Sequence, residues 1–401
     1  MKILFASAQL PHADVVSGHV IVYERVKRLC ERGHEVGLVV FGDGEDRALA
    51  DGLLPMLKEL EIIPPPRVRT KSQRLLDRCV SPIPEDFRDY RSDAMARCIG
   101  DMVERSLYDV LIAEFSRMGQ YVHHNPYLPA VRRIISCHQC ATSSSRNARQ
   151  LMGFGVRAFK EWLKALKLQR YEFDMYRSAD RVLALTPRDG YALQYGGPDL
   201  SIEVIPSAVD TSVFYPAPWS DERDGILFTG YFDSIVNRDA VLWFARWVWP
   251  HVLERHPDLK FYVVGPNPTR EMKLLEKKYR GVVVTGRVDD VRTYLDRSLI
   301  FVCPERLVVG LRTKILEAMA AGVPVVSTTQ GAEGIPVQVG YNCFLGDRPE
   351  IMAMYINVLL QDDDLHARVA EKARNLVEYR FSWDRSIECL EDVLENVVCR
   401  G

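Results

Sequence analysis

Residues Gly310–Thr328 read GLRTKILEAMAAGVPVVST, and the parsing of this stretch decides the fold. A charge-poor run, LIFVCP (Leu299–Pro304), leads into it and a second apolar run, VPVVST, leaves it, so the order is strand, loop, helix, strand. The helix between them opens with two cations, Arg312 and Lys314, and carries one carboxylate, Glu317, in its second turn. A helix N-terminus bears partial positive charge, so cations there are unfavourable unless an anion joins them.

Working outward, the same alternation recurs along the whole chain. In the first half the candidate strands are KILFAS (Lys2–Ser7), GHEVGLVVF (Gly33–Phe41), DVLIAE (Asp109–Glu114), RRIISC (Arg132–Cys137), RVLALT (Arg181–Thr186) and IEVIP (Ile202–Pro206). A helix from about Val20 to Arg32 separates the first two and ends at Gly33. The second half continues with GILFTG (Gly225–Gly230), KFYVVG (Lys260–Gly265), VVVTG (Val282–Gly286), LIFVCP and VPVVST. Near-continuous Val, Ile, Leu and Phe in strands separated by helices predict parallel sheets covered on both faces. The fold class is therefore α/β, with two Rossmann-like domains. PAPWSDERDG (Pro216–Gly225) concentrates proline and charge without periodicity, as a hinge does. The boundary is set there, with domains over 1–215 and 216–382.

Composition narrows the function. The 401 residues, 47% hydrophobic and 26% charged, suit a soluble chain of two domains of roughly 150 to 200 residues each. A formal net charge of -2 offers no general attraction to nucleic acid, so no nucleic-acid partner is expected. No apolar run approaches the roughly 18 residues of a membrane span. MKILFASAQL enters a strand directly with no cleavage site, and a cytoplasmic location is expected. Nine scattered cysteines, mostly in apolar segments, imply no disulfide framework. The pair CHQC (Cys137–Cys140) has no second pair to complete a zinc site, and no metal is expected. DDD (Asp362–Asp364) reads as a helix start and His123-His124 as a surface pair.

Parallel sheets bind ligands beyond the carboxyl ends of their strands, which is where the loop after Pro304 lies. An Arg fork, a Lys point charge and helix N-terminal N–H groups together suit phosphate oxygens. Thr313 and Glu317 share one side of the helix while Ile315 and Met319 face away, leaving the carboxylate free to accept from hydroxyls. Ribose hydroxyls beside a diphosphate fit that arrangement, which suggests a nucleotide. The plainer alternative is a pair of solvated cations with Glu317 pairing Lys314 at i, i+3. Neither a dinucleotide fingerprint nor a P-loop occurs in the chain, so any nucleotide is held by the second domain's helix.

GLRTKILEAMAAGVPVVSTTQGAEGI resembles the donor-binding signature of bacterial retaining glycosyltransferases of the GT-B fold, similar to glycosyltransferase family 4 and its polysaccharide-biosynthesis members. Ser17-Gly18-His19 followed by a helix and GHEV resembles that family's N-terminal entry. Ile205-Pro206, Val209-Asp210 and Phe214-Tyr215-Pro216 resemble its interdomain segment. Asn237, Asp239-Ala240-Val241 and Trp243-Phe244 resemble its first C-domain helix. Phe381-Ser382-Trp383 resembles the start of its last helix, so 383–401 is expected to return to the N-terminal domain. The resemblance implies two domains facing across a cleft, the first on the acceptor side and the second holding a nucleoside-diphosphate sugar, with no cofactor. Arg312 and Lys314 would neutralise the diphosphate, Glu317 would hold the ribose and His138 would approach the donor sugar. Gly18, in the loop after the first strand, would admit backbone close to the phosphates or sugar, and Arg306 is a further phosphate candidate. The reaction implied is retaining transfer to a hydroxyl of a glycan or lipid-linked glycan.

The chain also departs from that pattern. Val309 stands where such proteins commonly have a first glutamate, Ser207-Ala208 replaces Asn-Gly, and no Arg and Lys follow the first C-domain strand near Tyr231. Two alternatives remain: a nucleotide-sugar epimerase, and a non-catalytic protein that binds a nucleotide-sugar or a partner. VRAFKEWLKALKLQRY (Val156–Tyr171) sets Arg157, Lys160, Lys164 and Lys167 opposite Phe159, Trp162, Ala165 and Leu166. The favoured reading is a helix packed on its own domain with a solvated basic face. The alternative is peripheral contact with an anionic membrane at its inner face, where a lipid-linked acceptor resides.

Overall fold

The computed structural model describes residues 1–11, 18–43, 52–67, 69–70, 81–138, 140–142, 156–218, 223–307 and 311–399, with side chains between 156 and 161 set aside. The chain divides into two units, Met1–Pro206 with Ile387–Gly401, and Ser207–Ser386.

The first unit is built on β1 (Lys2–Ser7), β2 (Glu35–Phe41), β3 (Glu59–Ile63), β4 (Val110–Glu114), β5 (Arg132–Cys137), β6 (Arg181–Ala184) and β7 (Ile202–Val204). They form one sheet in the order β3-β2-β1-β4-β5-β6-β7, every neighbouring pair parallel. β1 and β4 are buried almost throughout, which is why they read as unbroken apolar runs. The helix Gly18–Glu31 buries Ile21, Val22, Val26 and Leu29. The helix Trp383–Cys399 sends Ile387, Leu390, Leu394 and Val397 into the same core as Ile3, Phe5 and Val22. Its Glu391 takes hydrogen bonds from Arg32 and His34, the latter at 2.9 Å.

The second unit carries β8 (Gly225–Thr229), β9 (Lys260–Val264), β10 (Val282–Gly286), β11 (Ser298–Cys303), β12 (Val325–Ser327) and β13 (Phe344–Leu345), all parallel, in the order β10-β9-β8-β11-β12-β13. Glycine is required at Gly265, where φ is +147° and a Cβ would stand 1.9 Å from the Gly230 carbonyl oxygen. The ends of β8 and β9 thus approach through bare backbone. Strand order reverses between β1 and β4 in one sheet and between β8 and β11 in the other, the points where such sheets offer a crevice. DDD does begin a helix: Asp362 caps Asp363–Arg380 by accepting from the Leu365 N–H at 2.9 Å.

Candidate active site

At the second unit's reversal point, Glu305 follows β11 by two residues and is almost wholly buried. Arg312 donates from Nε to one of its carboxylate oxygens, and Lys314 Nζ donates to the other at 2.7 Å. The ammonium also donates to Asn237 Oδ1 at 2.9 Å and sits 4.3 Å from the centre of the Phe228 ring. Asn237 is fixed in turn by donating to the Tyr231 carbonyl at 2.8 Å. The Thr328 hydroxyl bonds the Glu305 carbonyl and accepts from the Gly331 N–H at 2.9 Å, tying the loop after β12 to the same point. Both cations are largely covered, their side chains 10% and 15% exposed.

This corrects the charge argument drawn from the sequence. The anion that relieves two cations at a helix start is already present as Glu305, which sequence reasoning passed over. A signal existed, since Glu305 is a lone carboxylate directly after the apolar run LIFVCP. Arg312 occupies the N-cap of the helix Thr313–Ala320, with extended backbone and no side-chain cap. Ile315 and Met319 are buried, as their spacing requires.

Glu317 is half-buried, and among the described residues its carboxylate has no hydrogen-bonding partner. Burial pushes its pKa up to about 7, against the pull of Lys314. Arg306 lies apart from this cluster: it grips Asp239 with two hydrogen bonds, 2.7 and 3.1 Å, and lies 5.3 Å from the Trp243 ring. Its charge is thus already matched, and it is well exposed. Val309 lies outside the described residues.

His138 and Gly18 belong to the first unit and meet there. Glu114, the last residue of β4, is fully buried and accepts from Arg25 at 3.0 Å on one oxygen. Its other oxygen holds His138 Nε2 at 2.7 Å, and Arg25 also donates to the Ser136 hydroxyl at 2.9 Å. Burial pushes Glu114 upward, but the Arg25 charge and the His138 hydrogen bond outweigh it and leave a pKa of about 2. With Nε2 engaged, His138 Nδ1 is buried and has no hydrogen-bonding partner among the described residues. Gly18 does not lie in the loop after β1: it opens the helix Gly18–Glu31. A Cβ there would stand 2.8 Å from both His138 Nδ1 and the Phe115 ring, so its small size is needed by those two rings. Phe115 itself has φ +69°, a strained conformation for a bulky residue, directly after Glu114. Arg25 was legible in principle, as a cation on the buried face of an amphipathic helix.

Cys137 and Cys140 are both buried, and burial raises the Cys137 thiol well above its usual value. Among the described residues no group of three His, Cys, Asp or Glu is placed to hold a metal. The long helix spans Val156–Arg177. Leu168, Phe173, Met175 and Tyr176 on it pack into the first unit's core, while Trp162, Leu163 and Leu166 are each exposed by more than a third. Lys167 is turned to the Ser81 carbonyl, while the side chains of Phe159, Arg157 and Lys160 lie outside those described. No described helix is long and apolar enough to cross a membrane.

Two parallel sheets, each with charged side chains gathered at the reversal of strand order, define an α/β protein of the GT-B type. Residues 18–213 match the family described as Glycosyltransferase Family 4, and residues 223–362 match the family described as Glycosyl transferases group 1. The chain belongs to this glycosyltransferase group. Among curated relatives, N-acetyl-alpha-D-glucosaminyl L-malate synthase of Bacillus anthracis is 32% identical over 152 residues, covering 35% of this chain and 38% of that protein. The chain spans about half the length of the curated relatives it matches. Among solved structures, sucrose-phosphate synthase of Thermosynechococcus elongatus superposes with a TM-score of 0.73 at 14% identity, covering 100% of both chains. HepE of Anabaena, solved with UDP, gives 0.70 at 16% identity, over 99% of this chain and 100% of its own. At such identities the likeness shows the fold alone.

Proposed function

We propose that the protein transfers a sugar from a nucleoside-diphosphate sugar to a hydroxyl of a glycan or lipid-linked glycan. The observation that carries this is the pair Arg312 and Lys314, held side by side at the end of β11, one turn before an unpartnered, half-buried Glu317. Anabaena HepE has been solved with UDP and with UDP-glucose, which supports a nucleotide-sugar donor on this fold. The cations would meet the charge that develops on the departing diphosphate, the electrostatic contribution that usually dominates. Glu317 would accept from the ribose hydroxyls, and His138 is assigned to the donor sugar. In a retaining step the acceptor oxygen bonds to the anomeric carbon on the face the diphosphate leaves. The bond from that carbon to the phosphate oxygen breaks, and the leaving phosphate takes the acceptor's proton. Arg312 and Lys314 carry the charge in this scheme, so no step runs through a metal. The exposed Trp162, Leu163 and Leu166 support peripheral membrane contact through 156–171, where a lipid-linked acceptor would be met.

Thermal stabilisation by a panel of nucleoside diphosphates tests the donor assignment, since a ligand at a hundred times its dissociation constant adds about 2.7 kcal/mol. Glu317→Ala should weaken the best of them by roughly tenfold, reflecting the lost charged hydrogen bonds. Unchanged affinity removes Glu317 from the ribose role. Incubation with radiolabelled donor sugar and candidate acceptors then separates the classes. Label moving to an acceptor marks a transferase, label staying on the nucleotide with altered stereochemistry marks an epimerase, and binding without conversion marks a non-catalytic protein.

A further inference from the structure

The Glu305 cluster contains more than the donor reading uses. Arg312 and Lys314 side by side contribute two positive charges, but Glu305 offsets one, so the three side chains together carry a single net positive unit. The Arg306–Asp239 pair, apart from this cluster, adds no net charge. Each Glu305 oxygen is committed to a different cation, and the carboxylate is only 2% exposed. Further contacts hold this geometry in place: Thr328 fixes the backbone of Glu305, and Asn237 and the Phe228 ring fix the ammonium of Lys314. A buried carboxylate shared by two cations is costly to break from one side, because the charges left behind have no counter-ion.

We propose that Glu305 is the positioning residue of this site: it stands in for the diphosphate in the empty protein, holding Arg312 and Lys314 in register and limiting the site's charge. This rests on the diphosphate-donor reading and deepens it. Arg312 and Lys314 are already held by these contacts, so little side-chain ordering remains to oppose binding. With one net charge the diphosphate is attracted without being trapped after transfer. If Glu305 is deprived of its charge, Arg312 and Lys314 lose the carboxylate they share, and an added diphosphate supplies negative charge in its place.

The test compares wild-type protein with Glu305→Gln by thermal unfolding, alone and with inorganic pyrophosphate, UDP, GDP or ADP. Unliganded Glu305→Gln should melt several degrees below wild type. Pyrophosphate or a nucleoside diphosphate should raise its melting temperature at least twice as far as it raises that of wild type. A melting temperature equal to wild type, or a lowered one that no diphosphate recovers, overturns the proposal and leaves Glu305 with a packing role. Recovery by pyrophosphate while none of the nucleotides stabilises wild type keeps the counter-charge role and removes the nucleotide reading instead. Should Glu305→Gln not fold, the double variant Glu305→Gln/Lys314→Gln decides. It restores one net positive charge, so it should fold and show no excess response to pyrophosphate. A double variant that also fails to fold counts against the proposal.

Discussion

Glu114 and Glu305 are both buried carboxylates at a reversal of strand order, and each is shared between two basic groups. Glu114 is paired with Arg25, whose side chain is 1% exposed, whereas the partners of Glu305 are 10% and 15% exposed. The first device is sealed: among the described residues its guanidinium bonds Glu114 and Ser136 alone, and Glu114 in turn holds the His138 imidazole. In the second the cations are largely covered yet keep a small outward-facing part. The same chemistry therefore serves as a clamp in one unit and as a prepared anion site in the other, and the deciding variable is how much of the cation faces outward.

Breaking the clamp should have the largest effect. Arg25→Met leaves Glu114 buried beside only His138, and about 3 to 5 kcal/mol of stability should be lost, measured from urea midpoints at neutral pH. In wild type the pKa of Glu114 is lowered from 4.5 to about 2. Its stabilisation is therefore complete above pH 4.5 and is lost as pH falls towards 2. In Arg25→Met that acid limb should move to higher pH. If Arg25→Met and Glu305→Gln were both recovered by pyrophosphate, the distinction between sealed and open devices would fail.

Glu317 gives the next effect, with the opposite sign. Its native pKa, about 7, lies above the ordinary 4.5, so the folded protein holds the proton more tightly and stability falls as pH rises between those values. Glu317→Gln should match wild type at pH 4 and be more stable by about 1 to 3 kcal/mol at pH 8, read from unfolding midpoints at the two pH values. A variant equally stable at both would show that the carboxylate is ionised without penalty.

Gly18→Ala should cost about 1 to 2 kcal/mol, because the added methyl collides with His138 and Phe115. The His138 imidazole resonances should shift in the same variant, which a plain change of helix propensity would not produce. The smallest effect belongs to Arg306→Gln. Its pair with Asp239 is exposed, and a stability change within about 0.5 kcal/mol is expected.

Much of this is legible in the sequence. The buried parallel strands appear in the sequence as apolar runs, and Lys2–Ser7, Arg132–Cys137 and Val282–Gly286 keep the bounds that composition suggests. The strands missed are both edges. Glu59–Ile63 is half-buried along its length and includes two glutamates, and Phe344–Leu345 is too short to show a pattern. The site divides similarly. Arg312, Lys314 and Glu317 are neighbours on one helix start, so a local motif finds them. Glu305 and Arg25 act through contacts made only when loops and strands come together, and sequence periodicity shows at most that a charge sits where none is expected. The exposed apolar side chains of 156–177 follow the same rule, since amphipathic spacing cannot say whether the apolar side is covered.

The division of the chain also constrains how it is made. The core of the first unit includes Ile387, Leu390, Leu394 and Val397, which lie beyond the whole of Ser207–Ser386 in the sequence. During synthesis the contiguous second unit emerges entire while the first still lacks its closing helix. The earlier-made sheet must therefore wait, partly uncovered, for residues produced about 180 positions later, which leaves apolar surface exposed in the meantime.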